Sequence, residues 1–393
     1  VLDELKTRVP NSEFPELCGR LSFFVNAGIR FVTEMCKMRA FVDLWDEILI
    51  ERYGVENPKF RRFRYGVQVN SLGLTEQQPE NNVYRILIEM LAVTLSKKAR
   101  ARAVQLPAWN EALGLPRPWD QQWSMRMQQI MAFETDLLEY EDLFDGNSVV
   151  DTKVEALKTS ARYELKTIES QGGALESIDY MKSRLVESNT LRLQNIESKQ
   201  TTVVGVNKYI NTEESPLVSG DGGIMVVDPL VEKDQIDRLN KWRASRNQTT
   251  VENALNNLRK AALAGKNIMP ASIEAAKAGA TTGEWAQEMR NIYGEYRGPT
   301  GVAAGISNQT EGLDEIRSAV DAVSDKLGER LKFLIGKPGL DGHSNGAEQI
   351  ASRARDCGMK IEYEGIRLTP QELVDTVKTS KAHVIGLSIS VSY

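Results

Sequence analysis

The sequence predicts an α/β fold in three parts, which cover residues 1–200, 201–328 and 329–393. In the first part, strand-like runs alternate with stretches that are long enough to be crossover helices. The same alternation returns in the last part, around a glycine-rich turn. Because parallel strands need a crossover connection, this rhythm predicts two parallel sheets with a partly helical connector between them.

The first part contains three candidate strands, at 20–25, 64–71 and 102–106, and candidate crossover helices at 31–53 and 82–98. Polar side chains interrupt the strand runs, which is unusual for a parallel sheet that is buried on both faces. The four are Arg20, Ser22, Arg64 and Gln68. Such side chains are typical of the carboxyl-terminal mouth of a (β/α)8 (TIM) barrel, so we expect all four at one mouth.

Two amphipathic helices are predicted for residues 151–200, because apolar residues recur there at steps of three and four. Gly172 and Gly173 separate them. In the connector, one helix is expected to end near Gly265. Thr281 and Glu284 have the spacing of a capping box, which predicts the start of another helix.

The last part predicts a doubly wound α/β domain that stops after its third strand. Its strands are expected at 332–336, 360–363 and 384–389, the third of them buried, with helices ending at Cys357 and spanning 370–379. The chain opens without methionine and stops at Tyr393, directly after that third strand. We therefore expect a fragment of a longer protein.

Composition limits the class of function. The 393 residues carry a net charge of −5, so no overall positive field is present to hold nucleic acid. The three cysteines are widely spaced, which indicates a reducing compartment and no structural zinc. No apolar run is long enough to cross a membrane, and the amino terminus lacks the pattern of a signal peptide. We expect a cytoplasmic protein without nucleic-acid or membrane partners.

One loop concentrates the groups that can perform chemistry. Asp341, His343 and Gly346 follow the first strand of the last part, at the carboxyl end where open α/β sheets bind ligands. On the loop alone, a solvated histidine beside an N-capping aspartate is as good an interpretation as a ligand site. A carboxylate that fixes the imidazole tautomer would leave the other ring nitrogen free for a metal. Zinc would need further ligands that are absent nearby, so a single histidine suffices only for a metal held in a macrocycle.

The motif Asp341-x-His343-x-x-Gly346, with 41 residues between Gly346 and Ser388, resembles the cobalamin-binding motif of the mutases and methionine synthase. The resemblance implies that His343 ligates cobalt, that Asp341 orients this histidine and that Ser388 contacts the displaced nucleotide tail. Two further family positions, a lysine before the aspartate and a threonine at the start of the second helix, match Lys337 and Thr369. Ser390 stands where the family has leucine, and the family's later Gly-Gly pair would follow Tyr393.

The first part is similar to the barrel of the adenosylcobalamin-dependent acyl-CoA mutase family. The run Arg20-Leu-Ser22-Phe-Phe resembles one barrel strand, and Arg64 to Gln68 resembles the next, whose arginine and glutamine contact coenzyme A. Gly66 replaces a histidine of the methylmalonyl-CoA branch. The segments 109–144 and 203–209 are similar to the ethylmalonyl-CoA branch.

The resemblance implies a fold made of the C-terminal part of a TIM barrel, a helical connector and the first half of a cobalamin-binding domain. It implies a radical isomerase that uses adenosylcobalamin to convert (2R)-ethylmalonyl-CoA to (2S)-methylsuccinyl-CoA, as a homodimer. Arg20, Ser22, Arg64 and Gln68 would bind the acyl-CoA substrate. The catalytic residues of the family would precede Val1, so this chain alone is expected to be inactive.

Several alternatives stay open at this point. The acyl-CoA mutase could act on methylmalonyl-CoA or a related ester, or the chain could belong to a non-catalytic cobalamin-binding module. Arg20 and Arg64 could simply pair with neighbouring loop groups. The tryptophans at 109, 119 and 123 are expected to pack rather than catalyse, and the cysteines to act as small apolar residues. His383 is expected at the start of the third strand, without a chemical role.

Overall fold

The computed structural model describes residues 1–99, 101–211, 213–218, 220, 222–228, 230–295, 313–339, 342 and 344–389. These residues form two compact units, one spanning Val1–Met225 and the other beginning at Val226. The first unit contains three strands: β1 (Phe23–Ala27), β2 (Tyr65–Val69) and β3 (Ala103–Gln105). Its helices are α1 (Leu2–Arg8), α2 (Phe14–Cys18), α3 (Phe31–Glu51), α4 (Asn81–Thr94), α5 (Pro118–Phe133), α6 (Ser148–Ser170) and α7 (Ile178–Glu197).

The first sheet is parallel and has the order β1-β2-β3, as the alternation of strands and helices predicts. Helices α3 and α4 cover one face, because Met38 of α3 and Val93 of α4 share a buried cluster with Tyr65 and Val67. Each strand is shorter than its sequence run. In particular, β1 begins at Phe23, three residues after Arg20.

The two helices predicted for residues 151–200 are α6 and α7, which confirms the pattern. Helix α6 packs on α3 through Val150 and Val154, which contact the cluster of Met35, Cys36 and Ala40. Positive φ angles at the two glycines that follow α6, +100° and +97°, let the chain turn between the helices.

The second unit contains β4 (Lys332–Pro338), β5 (Lys360–Leu368) and β6 (Val384–Leu387). Its helices are α8 (Leu230–Ser245), α9 (Gln248–Leu263), α10 (Met269–Ala278), α11 (Thr282–Tyr293), α12 (Asp314–Leu327), α13 (Asn345–Asp356) and α14 (Pro370–Ser380). The predicted helix end near Gly265 is confirmed by α9. The predicted capping box is also confirmed, since Thr281 and Glu284 bond each other's backbone at the start of α11. Among the described residues, no helix is both long and apolar enough to span a bilayer.

The second sheet is also parallel, but its order is β5-β4-β6. Neighbouring residues of the central strand β4 face different helices. Ile335 packs on Ala347 and Ala351 of α13, whereas Leu334 packs on Leu373 of α14. The sheet therefore has helices on both faces, as a doubly wound domain requires.

The expected burial of the third strand is wrong. Val384 and Ile385 of β6 are 45% and 44% exposed. Within the described part of the chain, β6 pairs only with β4, so it forms an edge of the sheet.

Candidate functional sites

The four predicted substrate residues do not lie at one mouth of the first sheet. Arg20, Ser22 and Arg64 all precede the amino ends of their strands, whereas Gln68 lies one residue before the carboxyl end of β2. The prediction that all four lie at the carboxyl mouth is therefore wrong for the first three. Alternation of polar and apolar residues reveals which face a side chain occupies, but it does not reveal where the strand begins.

The helices leave one face of the first sheet uncovered, and this open face carries several polar side chains. On β2, Tyr65, Val67 and Val69 are buried against the helices, so Gly66 and Gln68 point to the opposite face. Register places Phe24 beside Gly66, and it places Asn26 and Gln105 on either side of Gln68. By the same alternation, Ser22 and Arg64 extend this face beyond the amino ends of the strands. The face therefore carries polar groups at both ends of β2, with Phe24 and Gly66 between them.

Sequence reasoning missed three residues of this open face: Phe24, Asn26 and Gln105. Phe24 is 60% exposed, although it lies within an apolar run. A Cβ atom at Gly66 would come within 3.0 Å of the Phe24 ring, so a glycine is needed here for close approach. The signal that could have revealed these residues is their even spacing. Phe24 and Asn26 lie two and four residues after Ser22, and Gln105 lies two residues after Ala103, the start of β3.

The two candidate arginines differ in their surroundings. Arg20 is exposed, and its Nη2 donates to Glu16 Oε1 at 2.7 Å one helical turn earlier. Arg64 is half-buried, and its Nε–H is inaccessible to solvent and has no hydrogen-bond partner. Because a buried donor without an acceptor is costly, Arg64 has a donor to offer to a ligand, whereas Arg20 already has an acceptor.

The second candidate site lies at the carboxyl edge of the second sheet. Lys337 is buried near the end of β4, Thr369 directly follows β5 and Ser388 directly follows β6. The Ser388 amide donates to the Gly336 carbonyl at 3.0 Å, which places this serine beside Lys337. Thr369 caps α14 through a capping box with Glu372. Three of the predicted cofactor residues are therefore brought to one edge, because the three strands run parallel.

The remaining predicted cofactor residues, Asp341, His343 and Gly346, follow β4 in the sequence. Gly346 is the second residue of α13, and a Cβ atom there would meet no atom of the described residues within 4 Å. Asp341 and His343 lie outside the described residues. Gly339, which directly follows β4, lies at the same carboxyl edge.

The other histidine lies at the opposite edge of this sheet. His383 directly precedes β6, and its Nδ1 accepts a hydrogen bond from the Lys332 amide at 3.0 Å. Its Nε2 lies 3.4 Å from Glu329 Oε1. Because Lys332 begins β4, His383 belongs to the amino edge, away from Lys337, Thr369 and Ser388.

The residues that were expected to pack are mostly found in the core. Trp109 is 1% exposed and donates through Nε1 to Asp120 Oδ1 at 2.9 Å, whereas Trp119 and Trp123 stack beside it and remain partly exposed. All three cysteines are buried and reduced. Burial raises the pKa of each thiol, which agrees with their expected role as small apolar residues.

Comparison with known proteins gives a consistent set of relatives. The chain is 72% identical over 389 residues to ethylmalonyl-CoA mutase of Cereibacter sphaeroides, covering 99% of this chain and 60% of that protein. It is 60% identical to ethylmalonyl-CoA mutase of Methylorubrum extorquens, covering 96% of this chain and 55% of that protein. Identity to methylmalonyl-CoA mutase of Escherichia coli is 31%, with coverage of 95% and 52%. The chain therefore spans little more than half the length of these relatives.

The family model described as methylmalonyl-CoA mutase matches residues 12–295. This match includes the whole first sheet and its open face, together with helices α8 to α11. Because the model covers most of the chain, the chain belongs to the methylmalonyl-CoA mutase family.

Proposed function

We propose that this chain is part of an adenosylcobalamin-dependent ethylmalonyl-CoA mutase, which converts (2R)-ethylmalonyl-CoA to (2S)-methylsuccinyl-CoA. The observation that carries the proposal is the contrast in identity. It is 72% and 60% to two ethylmalonyl-CoA mutases, but about 30% to methylmalonyl-CoA mutases over a similar span.

The first sheet supports a role as part of a TIM barrel. Strands that follow one another in space in chain order, with helices on one face, are the arrangement that a (β/α)8 barrel repeats. The open face would then line the barrel interior. The Cα atoms of Arg64, which has a buried free donor, and of Gln68 lie about 13 Å apart along β2, at roughly 3.3 Å per residue. An extended ligand such as an acyl-CoA could contact both.

Arginine suits this role because its guanidinium is planar and permanently charged, and it can bind phosphate through two parallel hydrogen bonds. In our proposal Arg64 binds the coenzyme A portion, with Ser22 and Arg20 beside it at the amino ends of the strands. To bind substrate, Arg20 would have to exchange its bond with Glu16, which is an exposed pair of small stabilising value.

The carboxyl edge of the second sheet fits a cobalamin. The space around Gly346 is open, and Lys337, Thr369 and Ser388 converge on the same edge. A histidine is a suitable donor for cobalt, and a carboxylate bonded to its second ring nitrogen fixes its tautomer. We assign these roles to His343 and Asp341, and contact with the nucleotide tail to Ser388.

When bound, adenosylcobalamin supplies the radical chemistry of the rearrangement. The residues of this chain bind and orient. Arg64 and Gln68 would hold the coenzyme A portion in one position, and Phe24 would exclude water from the open face beside them. Such positioning limits the side reactions of reactive species, since it keeps solvent away. On the resemblance alone, we further propose a cytoplasmic homodimer.

Turnover by the full-length enzyme with added adenosylcobalamin tests this function. We expect kcat/KM for ethylmalonyl-CoA to exceed that for methylmalonyl-CoA by about 10–200-fold, the range that one methylene group provides. Preference for methylmalonyl-CoA would contradict the proposal. Cobalamin binding without any acyl-CoA binding would instead indicate a non-catalytic cobalamin module.

A further inference from the structure

A buried carboxyl group lies on the helix-covered side of the first sheet, opposite the open face, and has no role in the proposed function. Glu89 belongs to the stripe of α4 that faces the sheet, together with Ile86, Met90 and Val93. Its side chain is 1% exposed, and its Oε2 atom is inaccessible to solvent and has no hydrogen-bond partner. A charged carboxylate in such a place is strongly disfavoured, because it has lost water and gained no donor.

The charges around Glu89 do not compensate for its burial. Glu34, in the first turn of α3, is the nearest negative group and raises the pKa of Glu89 further. Lys37 is paired with Glu34 and donates to the Asn26 carbonyl. Arg85 lowers the pKa of Glu89, but its guanidinium donates elsewhere. Burial first and Glu34 second therefore raise the pKa of Glu89 to about 8.

The donors of Arg85 go to Thr75 in the loop after β2, to Asn82 of α4 and to a later segment of the chain. Nη1 donates to Thr75 Oγ1 and Asn82 Oδ1, and Nη2 donates to the Val204 carbonyl at 2.8 Å. This cation is thus held away from Glu89 by three neutral acceptors.

Glu89 lies directly beneath the turn that follows β2. Its Oε1 atom is 3.6 Å from the position that a Cβ of Gly73 would occupy. The Ser71–Gly73 turn carries no charged side chain, and Asn70 caps it by accepting from the Leu72 amide at 2.8 Å. On its outer side, Arg192 of α7 donates to the Leu72 carbonyl at 3.0 Å. The turn is thus fixed by polar bonds from outside and rests on Glu89 from inside.

We propose that Glu89 is a positioning residue that, as a neutral carboxylic acid, supports the Ser71–Gly73 turn, and that its ionisation loosens this turn. Ile86 and Met90 anchor α4 in the core on either side, so an ionised Glu89 reaches water only if the turn above it moves. The turn follows the strand that carries Gln68. The link to substrate therefore rests on the proposed function, whereas the movement itself does not.

Hydrogen exchange of the whole chain, corrected for the intrinsic effect of pH, tests the movement. Between pH 6.5 and pH 9 we expect protection of the amides in 71–74 to fall about tenfold. Glu89→Gln keeps the shape of the side chain without an ionisable group, so its protection should stay constant over this range. Glu315→Gln, the same change at an exposed position of α12, should behave as the wild type does. Equal pH profiles for the wild type and Glu89→Gln would overturn the proposal.

A second variant guards against a general loss of structure. Glu34→Gln removes the negative charge that opposes ionisation of Glu89, so the midpoint of the exchange transition should move to lower pH. An unchanged or higher midpoint would overturn the proposal.

Activity of the full-length enzyme separates the movement of the turn from its effect on the substrate. In the wild type, kcat/KM for the acyl-CoA should decline with an apparent pKa near 8, and this decline should be absent in Glu89→Gln. If the exchange transition occurs and the enzyme turns over ethylmalonyl-CoA with the same alkaline decline in both proteins, the positioning role is wrong and the proposed function stands. If the enzyme does not turn over the ester, the proposed function fails, and the exchange result still decides the movement.

Discussion

The two parallel sheets of this chain are built from the same units and expose their candidate sites in different ways. In the first sheet the strands follow chain order, so right-handed crossovers place α3 and α4 on one face and leave the other face open. In the second sheet β5 and β6 lie on opposite sides of β4. The two crossover connections therefore run in opposite directions, and α13 and α14 cover opposite faces. The first sheet can therefore bind a ligand on its uncovered face, whereas the second can bind one only at an edge.

This difference in winding also decides which neighbouring residues are buried. On β4, Leu334 and Ile335 are both almost fully buried, although they point in opposite directions. On β1, Phe24 is 60% exposed beside Phe23, which packs against Trp45 and Phe63. Both pairs of neighbours, Leu334 with Ile335 and Phe23 with Phe24, are apolar, so it is strand order that makes their burial different.

Truncation of neighbouring residues should give the largest effect. Leu334→Ala should lower the free energy of unfolding by about 2–5 kcal/mol, because it leaves a cavity in a closed core. Phe24→Ala should change it by about 0.5 kcal/mol or less, because the ring is largely exposed. Denaturant unfolding measures both, and a loss for Phe24→Ala as large as that for Leu334→Ala would show that the open face is covered in solution.

The two units should also respond to pH in opposite directions. In the second unit, the Arg246 guanidinium donates two hydrogen bonds to Glu284 and lowers the pKa of Glu284 to about 2. Since the unfolded value is about 4.3, this group stabilises the fold above that pH and loses the contribution as pH falls towards 2. Glu89 has a raised pKa and does the reverse, losing its contribution as pH rises from about 4.3 to about 8.

Glu284→Gln should therefore remove roughly 3 kcal/mol of stability at neutral pH, and it should abolish the acid-dependent loss in the second unit. The matched control is Glu288→Gln, which breaks the more exposed pair with Arg259 and should cost about 1 kcal/mol or less. Thermal unfolding between pH 2 and pH 7 measures both variants. If Glu284→Gln loses stability with falling pH as much as the wild type does, the assigned pair of Arg246 and Glu284 is contradicted.

The open face of the first sheet can be tested through substrate. Arg64→Ala in the full-length enzyme should raise KM for the acyl-CoA by about ten- to a hundredfold, which corresponds to the loss of one charged hydrogen bond. Arg62→Ala removes the same charge two residues earlier from an exposed position and should leave KM unchanged. If the two variants have the same KM, Arg64 has only a structural role.

Two glycines can test the crowded and the open parts of the second sheet. A Cβ at Gly336 would come within 2.3 Å of Leu373 and 2.8 Å of Leu368, so Gly336→Ala should cost about 1–3 kcal/mol. Gly346→Ala meets no atom within 4 Å and should leave stability unchanged or raise it by up to about 1 kcal/mol. Equilibrium unfolding of both variants checks this, and a destabilised Gly346→Ala would show that the space above α13 is already filled.

Much of this architecture could be predicted from the sequence, because hydrophobic periodicity and capping residues are local signals. The parallel sheets, the pair α6 and α7, and the capping box at Thr281 all follow from neighbours a few residues apart. The placement of Arg20 and Ser22 could not be predicted, since strand ends depend on hydrogen bonds to a partner strand. For the same reason the exposure of β6 was missed: its residues are as apolar as those of β4, and only the sheet order makes it an edge. Glu89 gave no sequence signal, because a glutamate within a helix is ordinarily exposed.

The assignment of His343 at the carboxyl edge of the second sheet is tested most directly by electron paramagnetic resonance of cob(II)alamin bound to the full-length protein. His383 lies at the amino edge of that sheet, which makes it a matched control. We predict hyperfine splitting from a protein imidazole nitrogen in the wild type and in His383→Ala, and its loss in His343→Ala. A splitting that persists in His343→Ala, or that disappears in His383→Ala, would contradict this assignment.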